Sequence, residues 1–371
     1  MNIYSIQMAE RPVLLLALFA GIFTIAGCAE ESLEEPLSND FSDLQAQQLS
    51  ERVILDVLAP KDSVMLGERY GILNAIGLSL DVEALYIRDY SLFSLFVINK
   101  QSLELENALT IPEGRGPGEL SRINSFAVSG NRIVLVDQSL FKIQIRNREG
   151  EPEGEFLVEE AAPWRVSIWE DGTLTFLSTN AMQTGSLFYT LDSNGHLVRT
   201  FGDVSGVAYN PIRYDGEILV DDGFFYFAGY FEHVLGKWNR DGDLVYAVSS
   251  IDDFPGEANY STSISGEQSV FGFVPEAFFS AVSSAIYNDY WIITHRGDWD
   301  EEPYVQYIDI YNKHNGQYLA SIVLPSMVRG GSFVVDEGYI YTLHSDSLDE
   351  VNLFIYENTL DELLGEDPGT E

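Results

Sequence analysis

The sequence predicts an all-β protein, a six-bladed β-propeller of four-stranded antiparallel blades whose ring is closed by an N-terminal strand. Beyond residue 50 the apolar residues alternate with a period of two, which is typical of strands rather than helices. Short β-rich runs come in pairs, and several pairs end in an Asn- or Asp-led turn that contains glycine. The pairs recur about six times, close to the roughly 40 to 50 residues of a propeller blade.

Each pair begins with a run dense in large apolar residues. The six first runs are Ala84–Asp89, Arg132–Asp137, Thr173–Ser178, Phe224–Gly229, Tyr290–His295 and Tyr339–His344. The six second runs are Leu95–Asn99, Lys142–Asn147, Leu187–Asp192, Leu235–Asn239, Gln306–Asn312 and Asn352–Glu357. Further runs follow several of these pairs, so each unit contains the strands of one blade.

Turns with a common chemistry end four of the second runs, at Asn147–Gly150, Asp192–Gly195, Asn239–Gly242 and Asn312–Gly316. An Asn or Asp that opens a turn can accept a hydrogen bond from the backbone two residues on. Glycine adopts the positive φ that leads into the next strand. These turns therefore predict hairpins.

One strand-like segment, Arg52–Leu58, precedes the first unit, and the last unit ends soon after Glu357. We predict that Arg52–Leu58 completes the last blade as its outer strand and closes the ring, which protects its edges. A β-sandwich or a solenoid is the rival architecture, but neither explains six near-equivalent units with a spare strand at the start. The propeller is expected over residues 51–360, followed by an acidic tail over residues 361–371.

The N-terminus carries the most specific local signal. Arg11 closes a polar leader, and Val13–Ala26 is an apolar stretch too short to span a bilayer but suited to a signal peptide. The small residues before Cys28 resemble the lipobox cleaved by the bacterial lipoprotein signal peptidase. Residues 1–27 are therefore expected to be a signal peptide and Cys28, the only cysteine, the lipidated mature N-terminus. The alternative is a plain secretory signal with a chance cysteine.

An acidic segment over residues 28–50 has few large apolar residues and is expected to be a solvated tether. Glu30 and Glu31, which follow Cys28 after one alanine, resemble the surface-export signal of Bacteroidota lipoproteins. That resemblance implies an outer-membrane lipoprotein displayed outward, whereas an ordinary acidic linker would be compatible with periplasmic display.

The charge balance excludes one class of partner. The formal net charge is -38, from 58 acidic and 20 basic residues. Because such an anionic surface repels phosphate backbones, nucleic-acid binding is not expected. The expected membrane contact is through the lipid on Cys28.

A family resemblance appears in the second unit. It is carried by Gly114–Glu119, by Phe126-Ala-Val, by Arg132–Asp137 and by the turn Asn147–Gly150. These residues resemble the NHL-like six-bladed β-propeller lipoproteins of Bacteroidota. The resemblance implies the fold and an envelope location, because that family is defined mostly by its fold.

The glycine-rich loop Gly114–Glu119 superficially resembles a phosphate cradle. No Lys-Ser or Lys-Thr follows it and no helical pattern begins after it, so the nucleotide interpretation fails. Its glycines and proline are expected to shape the connection between two blades. The competing interpretation is that Arg115 points into a ligand site.

The first runs end at equivalent positions, at Asp89, Asp137, Ser178, Gly229, His295 and His344. If these runs are second strands, all six end on one face, together with the connections between blades, and that face is the expected functional one. Two Asp and two His there suggest a divalent-metal site. Geometry disfavours a single shared ion, and the competing interpretation is that Asp89 and Asp137 cap their own loops.

No catalytic motif stands out: the sequence has no Gly-x-Ser-x-Gly, no His-Glu-x-x-His and no cysteine after Cys28. We therefore predict a non-catalytic binding or scaffold module for a protein, peptide or glycan, without a cofactor. The alternative is a divalent-metal-dependent hydrolase or lyase that uses the Asp and His face, and a third hypothesis is a sensory ectodomain. Aromatic residues able to stack on sugars are Tyr226, Tyr230, Phe231, Trp291 and Trp299.

Overall fold

The computed structural model describes residues 40–41, 43–205, 213–251, 260–265, 268–273, 283–295, 306–324, 328–345 and 351–365. Cys28, Glu30, Glu31 and Trp299 lie outside these ranges. Within them, none of the helices has the length and apolar character needed to cross a membrane.

Two short strands come first in the chain, β1 (Ile54–Val57) and β2 (Asp62–Met65), followed by helix α1 (Leu66–Tyr70). The first two blades then form in sequence order. Blade one is β3 (Ala75–Leu80), β4 (Ala84–Asp89), β5 (Ser94–Asn99) and β6 (Leu105–Thr110). Blade two is β7 (Ser125–Ser129), β8 (Arg132–Asp137), β9 (Lys142–Asn147) and β10 (Pro152–Leu157), with a 3-10 turn at Gln138–Leu140.

Two further blades repeat this antiparallel order. Blade three is β11 (Pro163–Ile168), β12 (Leu174–Ser178), β13 (Ser186–Leu191) and β14 (Leu197–Asp203), with helix α2 (Ala181–Thr184). Blade four is β15 (Gly216–Asp221), β16 (Phe224–Gly229), β17 (Val234–Asn239) and β18 (Leu244–Ser249). A separate hairpin follows, β19 (Tyr260–Ser265) and β20 (Gln268–Phe273).

The last two blades also recruit the N-terminal strands. Blade five is β21 (Ser283–Tyr287), β22 (Tyr290–His295), β23 (Gln306–Asn312) and β24 (Tyr318–Leu324), with β1 added outside β24. Blade six is β25 (Val328–Val335), β26 (Tyr339–Ser345), β27 (Val351–Glu357) and β2. Helix α3 (Leu360–Gly365) ends the described chain. The predicted six-bladed propeller is confirmed.

The paired runs of the sequence are the second and third strands of their blades, as predicted. The Asx-Gly turns join the third and fourth strands, and their glycines have positive φ, for example +84° at Gly195. In that turn the Asp192 carboxylate accepts hydrogen bonds from the backbone N–H of Asn194 and of His196, both at 2.9 Å. Local turn chemistry thus fixes each hairpin.

The alternation of strands gives the ring two faces. At one end, here the loop face, the second strands end and the chain crosses between blades. At the other end, the turn face, lie the Asx-Gly turns and the tight turns between first and second strands.

Among the described residues the core is divided into six clusters of buried apolar residues, one between each pair of adjacent blades. The cluster between blades three and four is aromatic, with Trp238 fully buried and its ring 5.1 Å from that of Phe188. Trp291 and Tyr226 meet edge to face at 5.3 Å between blades four and five. These two predicted sugar-stacking residues therefore pack between blades.

The prediction that Arg52–Leu58 closes the ring is wrong. Its strand β1 pairs in parallel with β24 and lies outside blade five, where Arg52 forms an ion pair with buried Asp309 at 2.9 Å. The closing strand is β2, which pairs antiparallel with β27 and completes blade six. Val64 in β2 is buried, whereas Val57 in β1 is 60% exposed.

Part of the segment predicted as a tether is packed against the ring. The Phe41 ring stacks on Tyr214 at 5.1 Å, and the Asp40 carboxylate accepts a 2.9 Å hydrogen bond from Trp238 Nε1. The expected tail also begins with a contact to the ring, because Asp361 accepts a 2.8 Å hydrogen bond from the Tyr287 hydroxyl. Phe41 is an aromatic residue inside an acidic segment, and this could have indicated from the sequence that the segment packs against the ring.

Candidate functional site

The basic residues of the turn face are used to join blades. Lys100 forms an ion pair with Asp336 at 2.9 Å, which links blades one and six. Four more pairs link other neighbouring blades: Arg148–Glu106, Arg199–Asp241, Arg240–Asp171 and Lys313–Asp221. Pairs of this kind contribute little individually but hold the geometry of adjacent blades. These five basic residues of the turn face are accordingly engaged in structural contacts.

Asp89 and Asp137 hold the loops of the loop face. One oxygen of Asp89 accepts N–H bonds from Ser91 and Leu92 at 2.7 and 2.9 Å, within its own loop. The other accepts N–H bonds from Leu73 and Asn74 at 2.6 and 3.1 Å, ahead of the first strand of the same blade. Both carboxylate oxygens are thus occupied, which confirms the loop-capping interpretation and extends it to a second loop.

Asp137 repeats the arrangement in blade two. Its Oδ2 accepts hydrogen bonds from the backbone of Ser121 and Arg122, and its Oδ1 caps the 3-10 turn through Leu140 N–H at 3.1 Å. Burial alone would raise the pKa of this carboxyl group, but hydrogen bonds, led by those from Ser139 and Ser121, outweigh burial and lower the pKa below its ordinary value. The carboxylate is therefore held ionised as a structural acceptor.

We expect Asp137→Ala to lower the free energy of unfolding by about 3 kcal/mol, because it leaves several buried donors without an acceptor. The measurement is urea unfolding at pH 7, with exposed Glu149→Ala as a surface control. Since the folded pKa is depressed, the stabilisation is complete above the unfolded pKa of about 3.9 and is lost as pH falls through the folded pKa. The difference between wild type and variant should therefore shrink below about pH 4. An equal difference at pH 7 and pH 3 would contradict this role.

The structure does not bring the Asp and His residues together. Asp89 and Asp137 lie in blades one and two, whereas His295 and His344 lie buried in blades five and six. His344 Nε2 is hydrogen-bonded to the Thr342 hydroxyl, and its ring meets that of Phe354 at 4.6 Å. Within the described ranges no group of three or more His, Cys, Asp or Glu is arranged to hold a metal ion.

The glycine-rich loop Gly114–Glu119 is tied to blade two. Lys142 Nζ donates to the carbonyls of Gly116 and Glu119 at 3.0 and 3.1 Å, and Arg146 Nη2 donates to the Gly118 carbonyl at 2.8 Å. The Glu119 carboxylate accepts from Gly116 N–H at 2.8 Å and lies where a Cβ at Gly114 would clash. Arg115 is exposed at the tip of this fixed loop.

The first strands of the blades line an axial cavity of about 440 Å³. Its wall mixes apolar side chains such as Phe126 and Ile218 with the hydroxyls of Ser167 and Ser283. Glu217, near the start of β15, brings a carboxyl group to this cavity. Ligand sites commonly combine an apolar wall with a few polar groups in this way.

An arginine is held in a fixed orientation beside Glu217, at the loop-face end of the first strands. The Arg165 guanidinium lies over the rings of Trp164 and Tyr230, at 5.4 and 5.2 Å. Its Nε lies 3.4 Å from Asp215 Oδ1, which also accepts a 2.8 Å hydrogen bond from Trp164 Nε1. The side chain of Arg165 is 19% exposed. We name Arg88, Arg165, Asp215, Glu217 and Tyr230 the axial cluster.

The ionisable groups of the axial cluster change one another's pKa. The Tyr230 hydroxyl donates to Glu217 Oε2 at 2.7 Å. Burial raises the pKa of Glu217, against the opposing effects of Arg165 and of the Tyr230 hydrogen bond. Burial alone would lower the pKa of Arg165, but the acidic groups of Tyr230, Asp215 and Glu217 outweigh it and raise the pKa. Arg165 therefore stays protonated.

Arg88, from blade one, completes the cluster. It is 7% exposed, and its Nε donates to the carbonyl of Ile76 and its Nη1 to that of Ile123, both at 2.8 Å. Nη1 also donates to the Asn124 carbonyl. Burial, followed by the charge of Arg165, lowers the pKa of Arg88 to about 10. A buried cation held by neutral carbonyls is the strongest functional signal on this face.

Sequence reasoning named Tyr230 as an aromatic residue able to stack on sugars but did not identify the other members of the axial cluster. Its members lie between positions 88 and 230 and meet only when the first, third and fourth blades close around the axis. A signal was present at Arg88, a charged residue inside the apolar run Ala84–Asp89. Arg165 in Pro163–Ile168 has the same character.

Comparison with known proteins shows the fold alone. No protein-family model and no curated protein matches the sequence. A solved structure of a DUF4221 family member from Bacteroides vulgatus aligns with a TM-score of 0.52 and 8% identity, over 83% of this chain and 99% of that chain. A protein from Bacteroides fragilis named "Putative exported protein" aligns with a TM-score of 0.50 and 14% identity, over 85% of this chain and 99% of that chain. At identities this low, the two alignments show a shared architecture and nothing further.

Proposed function

We propose that this protein is a lipid-anchored binding module of the bacterial cell envelope, exposed on the outer membrane, that binds a protein, peptide or glycan without catalysis. The lipobox-like sequence before Cys28 supports the anchor, and the acidic residues after it support outward display. The fold shared with Bacteroides proteins, one of them named as exported, is consistent with this location.

The observation that carries the proposal is the contrast between the two faces. The turn face uses its bases in ion pairs between blades. On the loop face, Arg88 is buried and Arg165 is held against Tyr230, while Glu217, which is hydrogen-bonded to Tyr230, lines the axial cavity. Charged groups held on a rigid ring beside a cavity are suited to ligand recognition.

A binding role is also favoured by how the loop-face carboxylates are used. Both oxygens of Asp89 and of Asp137 accept hydrogen bonds from loop groups. A carboxylate occupied in this way positions loops rather than activating a nucleophile. The loops are thereby fixed, and a fixed binding surface loses less entropy when a ligand binds.

The test is binding of the purified lipoprotein in detergent to peptide and glycan arrays and to solubilised envelope proteins. We expect the double variant Tyr90→Ala, Arg115→Ala to reduce retention of the ligand at least tenfold, because both side chains are exposed on the loop face. The matched control is Arg199→Ala on the turn face, which should bind like the wild type. Equal retention by both variants, or no ligand for the wild type, would contradict the proposal.

A further inference from the structure

Arg165 has an unused hydrogen-bonding edge. Its Nε faces Asp215, and the rings of Trp164 and Tyr230 fix the plane of the guanidinium. Among the described residues, its Nη1 and Nη2 have no hydrogen-bond partner. An Nη1–Nη2 edge presents two parallel N–H groups at the spacing of a carboxylate, so it is suited to bidentate recognition.

Arg88 adds a second set of donors. Its Nε and Nη1 are used by main-chain carbonyls, and its Nη2 has no partner within the described part of the chain. The side chain is more than nine-tenths buried, so the free donors are not simply exposed to bulk water. Gly77 in β3 lies beside this group, because a Cβ placed there would be 3.9 Å from Arg88 Nη2. Nη2 thus lies beside β3, whose next residues, Leu78 and Ser79, line the axial cavity.

The neighbouring groups leave a place for one negative charge. Of the two carboxyl groups in the axial cluster, only that of Asp215 lies within ion-pair distance of Arg165. Glu217 is instead hydrogen-bonded to the Tyr230 hydroxyl. No carboxylate in the described ranges forms an ion pair with Arg88. A buried cation without an anionic partner is unfavourable unless something supplies the charge.

We propose, building on the proposed function, that the axial cluster binds the carboxylate of a small monoanionic ligand. The Nη1–Nη2 edge of Arg165 holds the carboxylate as a bidentate pair, and Arg88 Nη2 donates a further hydrogen bond. The remainder of the ligand lies toward the axial cavity, whose volume of about 440 Å³ suits a small molecule or a chain end.

A single carboxylate fits better than a polyanion. The formal net charge of -38 repels a highly charged ligand at long range. Arg165 is already paired with Asp215, whereas Arg88 has no carboxylate of the described residues within ion-pair distance, so the pair of arginines can compensate one added charge but not several. A sugar acid and a peptide carboxy-terminus share this chemistry, and the two sources are separated by the choice of probe.

The experiment measures binding of four probes to the full lipoprotein in detergent by titration calorimetry and ligand-observed NMR. N-acetyl-Ala-Ala is compared with its amide, and glucuronate is compared with glucose. We expect at least one acid to bind saturably and at least tenfold more tightly than its neutral partner. Arg165→Gln should weaken that binding at least tenfold, and Arg165→Lys should also weaken it, because an ammonium group keeps the charge but lacks the fork.

The matched control is Arg199→Gln on the turn face, since Arg199 also pairs with an aspartate, Asp241, of the neighbouring blade and does not line the axial cavity. It should bind the acid like the wild type. Circular dichroism and thermal unfolding establish whether each variant is folded. If Arg165→Gln does not fold, the binding comparison is made with Arg165→Lys.

Three results would overturn the inference: no acid binds, the neutral partner binds equally well, or folded Arg165 variants keep wild-type affinity. If the arrays still show ligand retention that depends on the loop face, only this inference fails. If loop-face retention is also absent, the proposed function fails with it.

Discussion

Replacing Cys28 with alanine is expected to abolish lipid labelling and to move the protein from the membrane to the soluble fraction. Acyl chains contribute about 0.8 kcal/mol per buried CH₂ group, so stable anchoring depends on attaching them. Cys28 is the only cysteine, so no other thiol can take its place. The measurements are incorporation of a clickable fatty acid and fractionation of the envelope by ultracentrifugation.

The control is Ser32→Ala, which lies in the same acidic segment but outside the lipobox-like residues. This variant should be labelled and sedimented like the wild type. Lipid labelling of Cys28→Ala at the wild-type level would contradict the anchor. Protease added to the same intact cells tests display on the cell surface. Digestion of the protein supports the export role of Glu30 and Glu31, and protection of the protein contradicts that role.

The strands of the ring could be predicted because the information that specifies them is local. A period of two, interrupted by Asx-Gly turns, is contained within a dozen residues, and it located β8, β9 and the turn at Asn147–Gly150. The ends of the second strands followed from the same pattern. β4, β8 and β22 end at Asp89, Asp137 and His295 as expected, and β26 extends one residue beyond His344.

The residues of the candidate site could not be predicted because their roles depend on contacts between segments that are far apart in the sequence. Asp89 was identified from its position at the end of a strand, but its bonds to Leu73 and Asn74 come from an earlier loop. Arg165 acquires its role from Asp215 and Tyr230, which belong to the next blade. No spacing rule relates such positions, whereas a charge within an apolar run, as at Arg88, marks a residue that needs a buried partner.

The N-terminal strands show how a pattern of the right kind can be assigned to the wrong place. Arg52–Leu58 is apolar enough to be a strand, and it is one, but it adds to blade five in parallel. Arg52 favours this position, because its guanidinium pairs with the buried carboxylate of Asp309 in β23. The true closing strand, Asp62–Met65, has one buried side chain among four residues and therefore gave no clear period.

Introducing a charge into each N-terminal strand should separate their roles. We expect Val64→Asp to lower the free energy of unfolding by at least about 3 kcal/mol, because it buries an unpaired carboxylate between blades six and one. Val64 is 4% exposed and packs in the same cluster as Leu66 and Leu353. Ile54→Asp in β1 should cost less than about 1 kcal/mol, since Ile54 is 45% exposed.

Each variant replaces a branched apolar residue with aspartate, in two strands that are consecutive in the chain but belong to different blades. Each variant is therefore the control for the other. Unfolding in urea can be followed by the fluorescence of Trp238 and Trp291, which are buried between other blades and report on the ring as a whole. Because β2 joins the first part of the chain to the last blade, its loss should lower the cooperativity of the whole transition. If Ile54→Asp costs as much as Val64→Asp, closure depends on β1 as well, and the assignment of β2 as the sole closing strand is wrong.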